Sequence, residues 1–370
     1  MILFDEVQTL PPARVPSLLS GVHALVQHFG CTAVFMTATQ PAFATAERVI
    51  LGGWHRDDME ISSNPRAMAE TMRRTRIELP RPDERPAWPE IAARLAANAQ
   101  ALCVVNTTAA AGELFRLLPP GRRFHLSARM CADHRQKKLA AIRRALAAGE
   151  PCRLVSTQLI EAGVDVDFPI AFRALGPLDS IIQTAGRCNR EGRSAEPCPV
   201  VVFHPAEDKL PPGAYAIATK KTVDFLTRHA DAAERLHDPD FYAAYFAELY
   251  ELLGRSKPED DPVFDYSAKF DFPKANDARH LIENGTRAVL VEWGEGAALI
   301  DKLQRERHLT AIECRRAQRF SINLYGHEFE RGQREGWVVQ PADKWELFAW
   351  KSKYDPDLGA CHPEGDDYCP

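Results

Sequence analysis

Three common features are missing from this 370-residue sequence. No apolar run approaches the roughly 20 residues that cross a bilayer, and the first residues lack the pattern of a secretory signal. The nine cysteines contain no C-x-x-C pair, which argues against a disulfide framework or a zinc site. No Gly-Lys dipeptide occurs, so the phosphate-binding loop G-x-x-x-x-G-K-[S/T] is absent. These absences predict a cytoplasmic protein with reduced cysteines and no membrane association.

The charge balance is acidic overall but basic in one segment. The net charge is −5, which is unusual for a protein that binds nucleic acid. Residues 122–153, however, hold nine Lys or Arg against two acidic residues, an excess of seven positive charges. A basic stripe of this kind can follow a phosphate backbone. For Arg135–Arg144 taken alone, a solvated helix face is the preferred explanation.

The order of apolar and polar segments predicts an α/β fold. From Ile91 to Phe203, apolar strands alternate with helical patterns, which predicts right-handed crossovers and a mainly parallel sheet. Within this series we predict helices over Arg135–Ala148 and Leu178–Asn189. No internal repeat is visible.

The flanking regions have different patterns. A helix that ends at Gly30 and a strand over Cys31–Met36 are predicted near the start. Four prolines in Pro80–Pro89 indicate a linker. After Phe203, the segment Ala214–Leu253 is helical, and the last hundred residues mix short strands with a basic helix around Leu309–Phe320.

Two adjacent acids, Asp5 and Glu6, follow the first apolar strand. Ligands bind at the carboxyl ends of strands in parallel sheets. In a phosphate-hydrolysing site, one carboxylate holds Mg²⁺ and another polarises the attacking water. Thr37 and Thr39 follow the next strand and bring hydroxyls beside these acids. Taken alone, each motif is also explained by a solvated strand end or a turn.

A second candidate motif is basic. Gln183, Arg187 and Arg190 are spaced i, i+4 and i+7, which predicts that their side chains share one helix face. Two neighbouring guanidiniums repel each other, but they become useful beside a triphosphate, where Arg neutralises charge on the γ-phosphate. The alternative is an ordinary basic surface helix.

Further polar residues follow other strands of the predicted sheet. Hydroxyls and backbone N–H groups at such positions can bind the phosphates of a single nucleic-acid strand. Gly163 permits close approach of a ligand, and Asp165 can reach a ribose hydroxyl or a metal-bound water. The strand-end residues are Asn106, Thr107, Ser127, Ser156 and Thr157.

Taken in order, these motifs resemble motifs II to VI of superfamily-two helicases. The resemblance rests on Asp5-Glu6-Val7-Gln8, Thr37-Ala38-Thr39, Val105-Asn106-Thr107, the run Ser156–Asp165 and the run Gln183–Arg190. His125–Met130 with His134, and Ala185–Arg193, are similar to the CRISPR-associated helicase–nuclease of type I interference. The similarity covers residues 1 to about 205.

The resemblance implies a domain organisation. It predicts RecA-like parallel sheets, the first incomplete, and a mixed C-terminal accessory domain. The predicted parts are a remnant of the first RecA-like domain (1–80), a second RecA-like domain (81–205), a helical linker (206–261) and the accessory domain (262–370).

It also implies site residues, cofactors and partners. ATP and Mg²⁺ are the expected cofactors, and the expected activity is 3′ to 5′ translocation on single-stranded DNA beside an RNA-guided surveillance complex. The implied roles are Mg²⁺ binding by Asp5; water activation by Glu6; coupling by Gln8, Thr37 and Thr39; γ-phosphate contact by Gln183, Arg187 and Arg190; nucleotide lining by Gly163 and Asp165; and DNA contact by Thr107, Ser127, Arg129, Ser156 and Thr157.

The sequence departs from the family pattern in two respects. Gln8 replaces a His that often follows the acidic pair, and it can still bridge to Thr37 or Thr39. The phosphate-binding loop and the nuclease domain are missing, so we expect this chain to be inactive alone. An interrupted gene is the favoured explanation, and a split protein whose other chain carries the loop and the nuclease is the alternative.

Two other functions stay open. The chain could be a non-catalytic module that binds DNA or the CRISPR complex. It could also be a fragment of a general DNA-repair or RNA helicase. The run Cys188–Arg193 argues against RNA helicases of the DEAD-box kind, whose arginine motif differs.

Overall fold

A computed structural model describes residues 1–37, 60–207, 209–253, 261–278, 285–342 and 346–362. Of the predicted site residues, Thr39 lies outside the described residues. The strands are β1 Ile2–Asp5, β2 Ala33–Met36, β3 Thr75–Glu78, β4 Gln100–Val104, β5 Arg123–Leu126, β6 Cys152–Ser156, β7 Ala171–Ala174, β8 Cys198–Phe203, β9 Thr286–Leu290, β10 Ser321–Tyr325, β11 Val338–Val339, β12 Phe348–Trp350, β13 Tyr354–Asp355 and β14 Gly359–Ala360.

Helices of 4 to 16 residues accompany these strands. They are α1 Val15–Phe29, α2 Pro65–Thr71, α3 Trp88–Ala96, α4 Thr108–Leu117, α5 Ala132–Ala147, α6 Leu178–Ala185, α7 Ala214–Arg228, α8 Ala232–Arg235, α9 Pro239–Leu253, α10 Pro262–Ala268, α11 Phe272–Ala278, α12 Glu295–Glu306, α13 Ala311–Ala317 and α14 Gly326–Glu335. Across the described ranges, no helix combines the length and apolarity needed to cross a membrane.

The chain separates into two compact units. The first comprises Met1–Arg73, Pro177–Ile182 and Gly213–Asn284, and the second comprises Arg74–Gly176, Gln183–Pro212 and Gly285–Pro370. The four-part division based on the resemblance stays a prediction.

The first unit contains a short parallel sheet and several helices. β1 pairs with β2, and α1 connects them. α1 ends at Gly30, whose φ of 61° suits a residue without a Cβ atom. Val7, Val15 and Leu19 form a small core under this sheet. The predicted Gly30 helix end is therefore confirmed.

The second unit is built on a six-stranded, fully parallel sheet in the order β3-β8-β7-β4-β6-β5. Strands buried on both faces have nearly continuous apolar sequences. Residues 101–105, which cover most of β4 and the residue after it, are all apolar and buried. α3 and α4 pack on this sheet through Ile91, Leu95 and Leu114. Because β5, β6, β4 and β7 are parallel neighbours, their carboxyl ends meet along one edge of the sheet. The predicted parallel α/β fold is confirmed.

The C-terminal part of this unit has a mixed sheet in the order β10-β9-β12-β11. β9 pairs with β10 antiparallel and with β12 parallel. Trp337 and Trp350 pack edge to face in the core of this sheet. The basic helix predicted around Leu309–Phe320 is α13, which continues into a 3₁₀ turn at Gln318–Phe320.

Candidate functional site

The acidic pair lies at the carboxyl end of β1. Asp5 is the last residue of this strand, lies opposite Met36 and is exposed. Glu6 is half-buried and has a φ of 51°, in the left-handed region that β-strands do not use. The chain therefore turns sharply at Glu6 into the 3₁₀ helix Val7–Thr9.

Gln8 connects this pair to the end of the neighbouring strand. Its side-chain nitrogen donates to Glu6 Oε2 at 2.6 Å, and its side-chain oxygen accepts from the hydroxyl of Thr37. Gln8 is buried, so both halves of its amide have a partner. The bridge expected of Gln8 is thus present, whereas its role in coupling stays a prediction.

The carboxyl end of β1, where Asp5 and Glu6 lie, offers few groups to a metal ion. Among the residues that the structure describes, no three His, Cys, Asp or Glu side chains form a metal-binding group. Mg²⁺ at phosphate sites usually takes only one or two carboxylates, with phosphate and water completing its shell. The exposed Asp5 carboxylate, followed directly by Glu6, fits that requirement.

The arginine motif differs from the prediction in its backbone. The predicted helix Leu178–Asn189 is wrong at its end, because α6 ends at Ala185. Gly186 disfavours helix, and Arg187 N–H bonds to Thr184 O in a tighter turn. Arg187, Cys188 and Asn189 then align with Phe168 in a short bridge. Arg187 and Arg190 therefore do not share a helix face with Gln183.

Arg187 is held inside the second unit. Its side chain is 8% exposed. Nε donates to the carbonyl oxygen of Ile160 at 3.0 Å, and Nη2 donates to the carbonyl oxygen of Glu161. Ile160 is the last residue of the 3₁₀ helix Gln158–Ile160, and Glu161 follows it. The turn after β6 therefore determines where the Arg187 guanidinium lies.

Arg190 is more accessible and pairs with a predicted nucleotide residue. Its side chain is 43% exposed, and its Nε lies 2.9 Å from Asp165 Oδ1. Its backbone N–H also donates to Asp167 Oδ1 at 2.7 Å. Gly163 has a φ of 67° and open space where a Cβ would lie. The structure therefore brings Arg190 and Asp165 together. Gln183 is half-buried.

The predicted DNA-contacting hydroxyls lie at one edge of the parallel sheet but are buried. Ser127 and Ser156 are fully buried, and Ser156 Oγ donates to the carbonyl oxygen of Leu126 at 3.2 Å. Thr107 Oγ1 accepts from the N–H of Ala110 at 3.2 Å and caps α4. Thr157 is also buried. The sequence indicated where these residues lie but not that they are buried, and their role stays a prediction.

Carboxylates pair with several basic residues of the segment 122–153. Arg129, a predicted DNA contact, pairs with Glu328, and its carbonyl oxygen accepts from the N–H of Ala360 at 2.9 Å. Two of the paired carboxylates, Glu328 and Asp357, come from outside the segment. The other pairs in this segment are Arg122–Glu150, Lys137–Asp133 and Lys138–Asp357. The available positive charge is accordingly smaller than the sequence count suggests.

Sequence analysis missed a buried ion pair between Arg173 and Glu161. Arg173 lies on β7, is 0% exposed and reaches the carboxylate of Glu161 at 3.0 Å. Its Nη1 also donates to Asn106 Oδ1 at 2.7 Å. A charged residue in the otherwise apolar strand Ala171–Ala174 was the available signal, because buried parallel strands rarely contain one.

His134 joins α5 to the C-terminal part of the second unit. Its ring stacks on Trp293 with centroids 3.9 Å apart, and Nδ1 lies 3.0 Å from the hydroxyl of Tyr354. Nε2 lies 3.0 Å from the carbonyl oxygen of Pro356, which assigns the proton to Nε2. Burial lowers the pKa of His134 to about 4, and the nearby Lys138 acts in the same direction. The ring is neutral near pH 7.

Sequence comparisons match short segments of this chain, and solved structures match nearly all of it. Residues 97–193 match the family model described as CRISPR-associated nuclease/helicase Cas3, C-terminal. The CRISPR-associated nuclease/helicase Cas3 of Haloferax volcanii is 62% identical over 40 residues, which are 11% of this chain and 4% of that protein.

Solved structures resemble nearly the whole chain. T. fusca Cas3 with AMPPNP has a TM-score of 0.62 at 16% identity, over 97% of this chain and 53% of the other. T. fusca Cas3 with ATP gives 0.60 at 16% identity, over 96% and 53%. A CRISPR RNA-guided surveillance complex, pre-nicking, gives 0.56 at 16% identity, over 96% and 56%. This chain spans about half the length of these chains, and identity this low establishes the fold alone.

Proposed function

We propose that this chain is the C-terminal helicase portion of a Cas3-like protein. In this proposal it is part of an ATP-driven motor that moves 3′ to 5′ along single-stranded DNA in type I CRISPR interference. The observation that carries this proposal is the family match over residues 97–193. That segment contains both arginines of the basic motif and every strand-end residue proposed to contact DNA. ATP and ADP complexes of T. fusca Cas3 support a nucleotide as the ligand.

At the acidic end, we assign the two carboxylates different tasks. Asp5 is exposed and would hold Mg²⁺, which neutralises phosphate charge when bound with the nucleotide. Glu6 would accept a proton from the attacking water, with its carboxylate oriented by the 2.6 Å hydrogen bond from Gln8. Gln8 would then transmit the state of Glu6 to Thr37, and Thr39 is assigned the same coupling role by resemblance.

The residues of the arginine motif would stabilise the negative charge that develops on the γ-phosphate. Arg190 is accessible and would exchange its contact with Asp165 for a phosphate oxygen. Arg187 would supply a second guanidinium whose direction is set by the carbonyls of Ile160 and Glu161. Gln183 completes this group, while Gly163 and Asp165 line the nucleotide.

Contact with DNA is assigned to the edge of the parallel sheet. Since the Thr107 hydroxyl caps α4, we propose that the backbone N–H groups at this helix start bind a phosphate. Ser127, Ser156 and Thr157 lie at the same edge, and Arg129 would exchange Glu328 for a phosphate. The protein partner is an RNA-guided surveillance complex, such as the one in which a structural relative was solved.

We further propose that these 370 residues do not hydrolyse ATP by themselves. The sequence holds no G-x-x-x-x-G-K-[S/T] loop, whose amides and lysine bind the β- and γ-phosphates. Hydrolysis would then require a phosphate-binding loop that is not among these 370 residues.

The test is ATP hydrolysis in the presence of single-stranded DNA. The chain alone should stay at background, and activity should appear when a separately produced polypeptide with the phosphate-binding loop is added. Glu6→Gln should abolish the restored activity, whereas Glu330→Gln, at an exposed residue on α14, should not. Vigorous turnover by the isolated chain would refute the proposed dependence on a phosphate-binding loop outside these residues.

A second candidate is a non-catalytic module that binds DNA or the CRISPR complex. It is favoured by the inward hydrogen bonds of Arg187 and by the pairing of Arg190 with Asp165. This candidate predicts salt-dependent DNA binding that Asp5→Ala and Arg187→Ala leave unchanged. Filter binding with and without ATP, in the presence of the loop-bearing polypeptide, separates the two, because only the motor proposal requires Arg187→Ala to weaken ATP-dependent release of DNA.

A further inference from the structure

The buried guanidinium of Arg173 contacts two other segments of the second unit and the backbone of its own strand. It reaches Glu161 after β6 at 3.0 Å and Asn106 after β4 at 2.7 Å. Its Nη1 also donates to the carbonyl oxygen of Ala174 at 2.7 Å. Arg173 is 0% exposed, so these contacts are made away from water.

The carboxylate of Glu161 extends this network to the arginine motif. The hydroxyl of Thr184, on α6, donates to Glu161 Oε1 at 3.3 Å. Glu161 and Thr184 are both buried. One buried pair of opposite charges thus connects the residues after β4, the turn after β6 and the helix that precedes Arg187.

Stability alone is a poor explanation for this pair. Removing two charges from water is costly, and apolar side chains of similar volume often stabilise a core equally well. What this pair adds is a fixed place for the Glu161 carboxylate, which is attracted to a guanidinium that its Nη1 hydrogen bonds to Asn106 and Ala174 hold in position. The pair therefore fixes the turn that holds Glu161.

The same turn holds Arg187. Its acceptors are the backbone carbonyls of Ile160 and Glu161, and the side chain of Glu161 is the one anchored by Arg173. Displacing the Glu161 backbone would move both acceptors of the Arg187 guanidinium. Arg173 is thus connected to Arg187 through Glu161 and its neighbour Ile160.

We propose that Arg173 is a positioning residue for Arg187: its ion pair with Glu161 fixes the turn whose carbonyls orient the arginine. That this orientation serves ATP hydrolysis rests on the proposed function. The anchoring itself does not, and it can be measured in the chain alone.

The first measurement is hydrogen exchange at the Arg187 Nε–H, followed by NMR in the full chain. In the double variant Arg173→Met with Glu161→Leu, both charges leave together, so the core keeps its volume and no charge is left unpaired. Exchange at Arg187 should become at least roughly tenfold faster, since an anchored donor exchanges only after the turn opens. Arg190, which pairs with exposed Asp165, should change less than about twofold and serves as the internal control.

A milder variant keeps the test decisive should the double variant fail to fold. Thr184→Val has the same shape, removes one hydrogen bond to Glu161 and leaves the ion pair intact. Exchange at Arg187 should rise roughly threefold, less than in the double variant. Unchanged exchange at Arg187 in a folded variant would overturn the proposal.

The second measurement is ATP hydrolysis after addition of the loop-bearing polypeptide. The double variant should lower kcat roughly 10- to 100-fold with KM changed less than about twofold, because orientation matters in the transition state. Arg173→Lys, which keeps the charge but cannot reach Glu161 and Asn106 together, should restore kcat in part.

Faster exchange at Arg187 with unchanged kcat would show that the position of Arg187 does not matter for ATP hydrolysis. Absence of hydrolysis in the reconstituted wild type would count against the proposed function alone, and the exchange result would still decide the anchoring.

Discussion

The side-chain amide of Gln8 lies between a carboxylate and a hydroxyl, and both of its polar atoms are used. A histidine at this position would change its charge near neutral pH, whereas glutamine does not. The Gln8 side chain therefore contributes no charge that changes with pH to the bridge from Glu6 to Thr37. If it couples DNA binding to hydrolysis, its loss should affect the two activities unequally.

We predict that Gln8→Ala lowers the ratio of DNA-stimulated to basal ATP hydrolysis by roughly tenfold, the effect of losing about 1.4 kcal/mol of coupling. The measurement uses the reconstituted enzyme with and without single-stranded DNA. Gln318→Ala, at an exposed glutamine after α13, is the matched control. An unchanged ratio for Gln8→Ala would show that the bridge only supports the local fold.

At the scale of single elements, the start of α4 combines a structural and a functional task. Thr107 caps this helix through Ala110 N–H, and the same helix start is proposed to bind a DNA phosphate. We predict that Thr107→Ala lowers the free energy of unfolding by about 1 kcal/mol, because a helix donor loses its acceptor. Urea unfolding measures this loss. Thr107→Ser keeps the hydroxyl and should restore both stability and DNA affinity; a stability loss equal to that of the alanine variant would contradict the capping role.

Much of the element order was predictable from the sequence. Alternating strands and helices predicted the parallel sheet, and Gly30 predicted the end of α1. These signals are local, because they depend on periodicity and on the backbone freedom of single residues. The resemblance to the family was recognisable for a related reason, since its motifs are short contiguous runs, and residues 97–193 match the family model for the C-terminal part of Cas3.

Features that depend on distant residues were not predictable. β3 is only four residues long, and it forms by pairing with β8, more than a hundred residues later. The break in α6 at Ala185 depends on the bridge between Cys188 and Phe168. In the candidate site, residue types were predictable, but the burial of Ser127 and the partner of Arg129 were not, because neighbouring segments of the fold provide both.

At the scale of the whole molecule, the C-terminal part of the second unit is joined to α5 through neutral His134. Its pKa is about 4 in the folded chain, against an ordinary value near 6.5. Between these values the unfolded chain takes up a proton that the folded chain does not. The stability that this residue contributes is therefore complete above pH 6.5 and is lost as the pH falls toward 4.

We predict that lowering the pH from 7 to 5 reduces the free energy of unfolding more in the wild type than in His134→Gln, which cannot be protonated. The difference should be on the order of 2 kcal/mol. Urea unfolding at both pH values gives it, and other titrating groups cancel in the comparison. Equal pH dependence in the two proteins would contradict a neutral His134.

We propose that Arg187, after α6, and the acidic pair after β1 both act in ATP hydrolysis. The most direct test is the single-turnover rate of ATP hydrolysis by the reconstituted enzyme with Arg187→Lys, compared with Arg305→Lys at an exposed position on α12. Lysine keeps the charge but loses the planar set of donors, so the account predicts a fall of about 10³-fold or more for Arg187→Lys and none for Arg305→Lys. Equal rates for wild type and Arg187→Lys would contradict it.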